Sequence, residues 1–195
     1  MIRFFDILGS VVPGIILSPV LLVVYVLIRL GSMGGGFYSQ ERIGKDGKPF
    51  KLWKFRSMRT GADKGSQITV GEHDPRITRM GYFIRKYKID ELPQLWNVLI
   101  GDMSLVGPRP EVAKYVNLYT EEQRKVLSVR PGITDWASIE YVDENGILGQ
   151  AEDPDKAYIE RIMPDKIRYN MKWIENQSVA EYFRIILLTF KKIAR

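Results

Sequence analysis

Two carboxylates stand side by side in KIDELPQLWNVLIGDMSLVGPRPE, residues 88–111, with an apolar run behind Asp90 and Glu91 and a Pro108-Arg109-Pro110 turn closing the stretch. Ahead of them, Arg76, Arg79, Arg85, Lys86 and Lys88 fall between residues 76 and 88 without one acid. A basic run of that kind calls for anions nearby. Leu92, Leu95, Trp96 and Leu99 recur at i, i+3, i+4 and i+7, which predicts an amphipathic helix with the acid pair at its start and Pro93 in its first turn. Acids at a helix start can simply cap it and pair with neighbouring cations. The other reading is phosphoryl chemistry. The basic run, the helix N-terminus and Arg109 suit a diphosphate. A divalent cation such as Mg²⁺, taking a carboxylate and substrate oxygens, would relieve the repulsion between phosphate and an attacking acid. Aspartate is an established phosphoryl acceptor. No Walker-type glycine loop is present, which disfavours a P-loop nucleotidase. Spacing alone leaves both readings open.

The elements that must hold these residues begin with an apolar segment. Ile7 to Ile28 contains 22 residues without a charge, enough at about 1.5 Å per residue to reach across a hydrocarbon core of about 30 Å. Its length and the lack of a small-residue cleavage site before Arg29 fit a cleaved signal peptide poorly. Pro13-Gly14 and Ser18-Pro19 interrupt the run, and each proline removes a helical donor. A break at Ser18-Pro19 leaves two arms of about ten residues, each about one leaflet deep. A kinked spanning helix and a re-entrant hairpin both fit, with the Ser18 hydroxyl available to a freed backbone group. Arg3 and Arg29 flank the two ends, and positive-inside counting favours the hairpin.

Residues 1–30 therefore read as a membrane segment and 31–195 as the body, joined by the glycine-rich GSMGGG of residues 31–36. With 195 residues, 45% of them hydrophobic, the chain is long enough for one cored domain plus an appendage. The absence of cysteine excludes disulfides and zinc–thiolate sites, and a single histidine, His73, argues against imidazole clusters. The net charge of +6 suits nucleic acid, anionic lipid or a phosphorylated small molecule. No nucleic-acid reading motif is recognisable, so no nucleic-acid partner is expected.

Phe37–Ile43 and Phe50–Arg56 flank a GKDGKP turn and predict a hairpin. Its second strand sends Trp53 and Phe55 to one face and Lys54 and Arg56 to the other, the cations facing solvent in the simplest case. Residues 60–75 read as a loop containing His73. Thr120 with Gln123, and Ser178 with Glu181, resemble capping boxes. Behind the second, Val179, Phe183, Ile186, Phe190 and Ile193 form a stripe that suits either the core or a membrane interface, with Lys191, Lys192 and Arg195 toward lipid phosphates.

Four ordered blocks carry a resemblance: Asp6 with Ser18-Pro19, QERIGKDGKPFKLWKFRSM, DPRITRMGYFIRKYKIDELPQLWNVLIGDMSLVGPRPE, and LSVRPGIT. Together they resemble the bacterial sugar transferases, the small monotopic phosphoglycosyl transferases that include the bacillosamine-phosphate transferases. The resemblance implies an α+β, mainly helical fold: a small β-hairpin surrounded by helices, an N-terminal re-entrant membrane helix broken at Ser18-Pro19, and amphipathic helices lying on the membrane surface. It implies that Asp90 attacks the β-phosphate of a UDP-sugar, releases UMP and holds a sugar-phosphoryl group. Undecaprenyl phosphate then takes that group to give a polyprenyl diphosphate sugar, opening assembly of a surface glycan or glycoprotein. Asp90 and Glu91 would be the catalytic dyad, with Mg²⁺ held through Asp90. Lys54, Arg56, Arg85, Pro108, Arg109, Pro110 and Arg130 would be substrate-binding. The body would sit on the cytoplasmic face of the bacterial inner membrane, in contact with its lipids; nothing here fixes an oligomeric state or the sugar. The chain departs from the family pattern at GSMGGGFYSQ and at DWASIEYVDENG, the latter following RPGIT. From another class, a non-enzymatic membrane-anchored adaptor for acidic lipids or glycan-assembly partners would need the cations but not the acid pair.

Overall fold

The computed structural model describes residues 1–31, 34–62, 74–141 and 143–193; His73 and most of the expected loop lie outside them, as do Ser32 and Met33 of the linker. The apolar segment is a single helix, α1 (Ile2–Gly31), with Pro13 and Pro19 inside it. Helical structure continues through Ser18-Pro19, where the sequence suggested a break, because a proline withdraws one donor and leaves the rest of the ladder in place. The Ser18 hydroxyl donates to the Ile15 carbonyl at 2.8 Å, the local partner foreseen for it.

Both ends of α1 pack on one body. At the start, the Arg3 guanidinium donates to the carbonyls of Val98 (2.6 Å) and Leu99 (2.9 Å). Asp6, 2% exposed, accepts from the Ser104 hydroxyl (2.8 Å), the Leu105 amide (2.9 Å) and the Tyr182 hydroxyl (2.9 Å). At the other end Val24 and Ile28 are buried against Phe55 and Ile84. Between Ser10 and Val24 no residue is buried, so among the described residues little covers the apolar middle of the helix, where Ile15 and Ile16 are exposed.

The predicted hairpin is present as β1 (Phe37–Ile43) and β2 (Pro49–Phe55), antiparallel with Phe37 opposite Phe55 and Ile43 opposite Pro49. Its cation face is covered rather than solvated. Leu52, on the same side of β2 as Lys54, is buried against Val98 and Met103, while Phe55 on the other side joins the α1 cluster. Helix α2 (Arg79–Lys86) follows, capped by the Thr78 hydroxyl. It lies so close to the chain after β2 that a Cβ on Gly81 would stand 1.9 Å from the Ser57 carbonyl oxygen.

Helix α3 (Gln94–Ile100) forms behind the acid pair but starts later than the periodicity placed it, with Pro93 as its N-cap and the acids in a separate turn, Ile89–Glu91; its buried positions are Gln94, Asn97 and Val98, and Trp96 is exposed. The expected apolar stripe is thus rotated outward. The physical reason is Asn97, which accepts from the Trp53 amide (3.0 Å) and donates to the Lys51 carbonyl (2.7 Å), pinning its side of the helix to β2.

A second, two-stranded parallel sheet joins β3 (Ser104–Val106) to β4 (Gly132–Thr134); no periodicity announced these three-residue strands. Short helices α4 (Ala113–Val116), α5 (Glu121–Arg124), α6 (Trp136–Glu140), α7 (Glu144–Gly149) and α8 (Pro154–Ala157) lead to the longer α9 (Met163–Glu175) and α10 (Val179–Ile193). The Thr120–Gln123 capping box is complete. At Ser178 only half forms: its hydroxyl accepts the Glu181 amide (3.2 Å), while the Glu181 carboxylate accepts from the Trp136 indole (3.0 Å). In α10, Tyr182 and Ile185 face the core, whereas Phe183, Leu187 and Phe190 are exposed. The architecture is the α+β, mainly helical one expected, with the hairpin wrapped by helices.

Because Asp6 serves three buried or half-buried donors from β3 and α10, Asp6→Ala strands them. It is expected to cost about 3 kcal/mol, measured as a fall in the thermal unfolding midpoint of detergent-solubilised protein, and an unchanged midpoint would refute the anchoring role.

Candidate active site

Lys88 initiates the site from a left-handed conformation, φ 56° and ψ 20°, which costs a side-chain-bearing residue about 1–2 kcal/mol. The chain then makes one 3₁₀ turn, Ile89–Glu91, before Leu92 and Pro93 lead into α3. This geometry carries both acids into the body. Asp90 is 5% exposed.

The two neighbours have opposite surroundings. Glu91 is held from both sides: Lys54 Nζ is 3.0 Å from Oε1, and Arg109 donates to Oε1 at 2.5 Å and to Oε2 at 3.4 Å. Burial works to raise the Glu91 pKa, but Arg109 and Lys54 outweigh it and hold the carboxyl well below its ordinary range. Asp90 has no such clamp, and its Oδ1 is buried without a hydrogen-bond partner. Burial first, and the Glu91 charge second, raise its pKa, with Lys54, Arg85 and Lys88 opposing through space. Lys54 is itself pushed down by burial, with Glu91 counteracting; the Glu91 charge raises Arg109. One carboxylate is committed to structure; the other is left with an open coordination position.

Pro108-Arg109-Pro110 is fixed by the sheet beside it. Gly107 donates to Thr134 O (3.0 Å), Gly132 donates to Pro108 O (2.9 Å), and the Arg42 guanidinium donates to Pro110 O (3.1 Å). Of the residues the sequence singled out, the structure thus brings together Asp90, Glu91, Lys54 and Arg109, with Arg85 near enough for its charge to act on Asp90. Arg56 and Arg130 make their hydrogen bonds elsewhere. Arg56 donates to the carbonyls of Gly35 (2.7 Å) and Phe37 (3.3 Å), tying the linker to the hairpin. Arg130 donates to Gly101 O (2.8 Å) beyond the end of α3. Ser18 and Pro19 lie in the uncovered middle of α1.

Three polar residues that pattern reading passed over also build the site. Asn97 seats α3 on β2. Gln94, 2% exposed, leaves its Nε2 without a partner one helical turn beyond Asp90. Asp135, 1% exposed, accepts the Arg109 amide. The readable signal for Asp135 was its place as an N-cap three residues before Ser138; Gln94 and Asn97 sit where only apolar residues were sought.

Among the described residues no group of three or more His, Cys, Asp or Glu could hold a metal by itself. The unpartnered Oδ1 of Asp90 nonetheless suits one ligand position of Mg²⁺, a cation that commonly takes one or two carboxylates and completes its shell with phosphate oxygens and water. Glu91, already engaged by two cations, is less suited to that role.

An apolar helix of membrane-spanning length, largely uncovered among the described residues, is docked at both ends to a body with a buried acid pair ringed by cations. The chain belongs to the bacterial sugar transferase family, whose model matches residues 1–195. It is 38% identical over 194 residues to the UDP-N-acetylgalactosamine-undecaprenyl-phosphate N-acetylgalactosaminephosphotransferase of Aeromonas hydrophila, covering 98% of this chain and 42% of that protein. It is 35% identical to the UDP-glucose:undecaprenyl-phosphate glucose-1-phosphate transferase of Escherichia coli (strain K12), covering 96% of this chain and 39% of that protein. The chain therefore spans about two-fifths of those relatives. The uncharacterized sugar transferase EpsL of Bacillus subtilis (strain 168) is 37% identical over 191 residues, covering 98% of this chain and 86% of that protein.

The opposed environments predict opposed stability effects. Asp90, with its pKa raised above the ordinary 3.8, contributes stability that is present below that value and lost as pH rises through its raised one. Asp90→Asn is therefore expected to raise the thermal midpoint at neutral pH. Glu91, depressed below 4.5, contributes stability present above that value and lost as pH falls through its depressed one. Glu91→Gln leaves Lys54 and Arg109 without their shared anion and should cost about 3 kcal/mol. Thermal melts of both variants from pH 4 to 8, read side by side, would contradict this account if the two shifts had the same sign.

Proposed function

We propose that this protein transfers a sugar-1-phosphate from a UDP-sugar to undecaprenyl phosphate by way of a covalent aspartyl intermediate. The observation that carries the reading is the pair of unlike acids: a clamped, ionised Glu91 beside an Asp90 whose buried oxygen lacks a partner. A purely capping pair would satisfy both carboxylates. The donor and acceptor classes follow those for which the relatives are named.

In the first step an Asp90 carboxylate oxygen forms a bond to the β-phosphorus of the donor, and the bond from that phosphorus to the bridging oxygen breaks. UMP leaves with the bridging oxygen and its electron pair. In the second, a phosphate oxygen of undecaprenyl phosphate bonds to the same phosphorus and the Asp90 oxygen departs as a carboxylate, giving undecaprenyl diphosphate sugar. Asp90 would be the residue that holds Mg²⁺, whose charge would offset that of the phosphates when bound. Lys54 and Arg109 keep Glu91 ionised and in place, and the positive field of Arg85 and Lys88 favours the ionised Asp90 that attack requires.

Purified protein in detergent with Mg²⁺ and a panel of UDP-sugars should release UMP with one donor, even without lipid acceptor as a single turnover, and Asp90→Asn should abolish it. Full turnover by that variant would remove Asp90 as nucleophile. Release by no donor in the panel would favour the adaptor reading.

For topology, we infer that α1 enters and leaves through the cytoplasmic face of the inner membrane, supported by the docking of both its ends on one body. Single cysteines at Phe4→Cys and Ser32→Cys should both react only with reagents that reach the cytoplasmic side. Labelling of either from the periplasm would mean a spanning helix.

A further inference from the structure

The Arg109 side chain can clamp Glu91 only if its backbone is fixed, and the sequence makes that difficult. Pro108 and Pro110 have no amide hydrogen, so across Pro108-Arg109-Pro110 the Arg109 N–H is the sole backbone donor. The parallel sheet secures the chain up to Pro108 and no further. There the two backbones approach so closely that a Cβ on Gly132 would stand 2.1 Å from the Gly107 nitrogen. Gly107 donates to Thr134 O and Gly132 to Pro108 O, and with Thr134 the strand ends. The next residue, Asp135, takes over with its side chain.

Asp135 Oδ2 accepts the Arg109 amide at 3.1 Å, and Oδ1 accepts the Ser138 amide at 2.7 Å as the N-cap of α6. The carboxylate is almost wholly enclosed, so both oxygens are set by their partners and not by water. One side chain thereby links the start of α6 to the residue whose guanidinium grips Glu91 at 2.5 Å.

We propose that Asp135 is a positioning residue for the acid pair: it holds the Arg109 backbone so that the guanidinium meets Glu91, and it acts on the chemistry only through Arg109. The proposal rests on the transfer reaction proposed above for its kinetic consequence, but not for its structural one. Capping α6 needs one acceptor, which serine supplies about as well as aspartate; bracing Arg109 needs the second oxygen. Asp135→Ser therefore separates the two tasks.

The test is a pair of double-mutant cycles. In thermal stability, Asp135→Ser combined with Glu91→Gln should be clearly less destabilising than the sum of the single changes, because both disrupt the same clamp. A merely local role at α6 makes the two additive, and additivity overturns the proposal. In UMP release, Asp135→Ser should lower kcat about tenfold with little change in KM, and should add nothing on an Arg109→Ala background. An unchanged kcat, or a further loss on that background, would also overturn it. Wild-type protein that releases no UMP while the stability cycle still shows coupling would refute the transfer reaction and leave the brace standing. If Asp135→Ser does not fold, Asp135→Asn, which keeps the volume and one carbonyl acceptor, serves in both cycles.

Discussion

Two adjacent carboxylates in a poorly hydrated place cannot both ionise cheaply, and the body of this protein is arranged around that conflict. Glu91 resolves it for itself through Lys54 and Arg109. Each of those cations is delivered by a different element, so each element has to be secured in turn. Lys54 arrives on β2, which Asn97 ties to α3. Arg109 arrives between two prolines at the end of a parallel ladder. Asp90 inherits what is left: the field of the cations and of its neighbour, with no direct partner for Oδ1.

The division between legible and illegible features follows from this. The hairpin, the helix after the acid pair, the Thr120 capping box and the membrane segment all announce themselves by local period or by turn chemistry, and each stands within a residue or two of its expected place. The acid pair and the basic residues that meet it were also visible as residue types. Which face of α3 is buried was not, because the rule that apolar stripes turn inward fails where a membrane-anchored body keeps Trp96 and Ile100 uncovered and hides Gln94 and Asn97 instead. In α10, where the stripe suited either the core or a membrane interface, Phe183 and Phe190 of that stripe are exposed while Tyr182 and Ile185 take the core side.

Partnerships over long sequence separations were equally out of reach. Nothing near residue 54 declares that its cation belongs to residue 91 rather than to solvent. The strands β3 and β4 are too short to carry a period, yet they set the Pro108-Arg109-Pro110 turn. Asp135, which accepts the Arg109 amide from 26 residues away, stands in a stretch whose local sequence shows its capping role but not that partnership.

The Asp6 bond to Tyr182 spans 176 residues, almost the whole chain. Synthesis runs from the N-terminus, so α1 leaves the ribosome well before α10. The carboxylate that fastens it to the body then waits for the arrival of α10, and closing so large a loop makes it one of the slowest contacts to form. Formation of α1 and its docking are therefore separate events in the life of the molecule: the helix exists while the body is still incomplete, and a helix made much later supplies the hydroxyl that locks it.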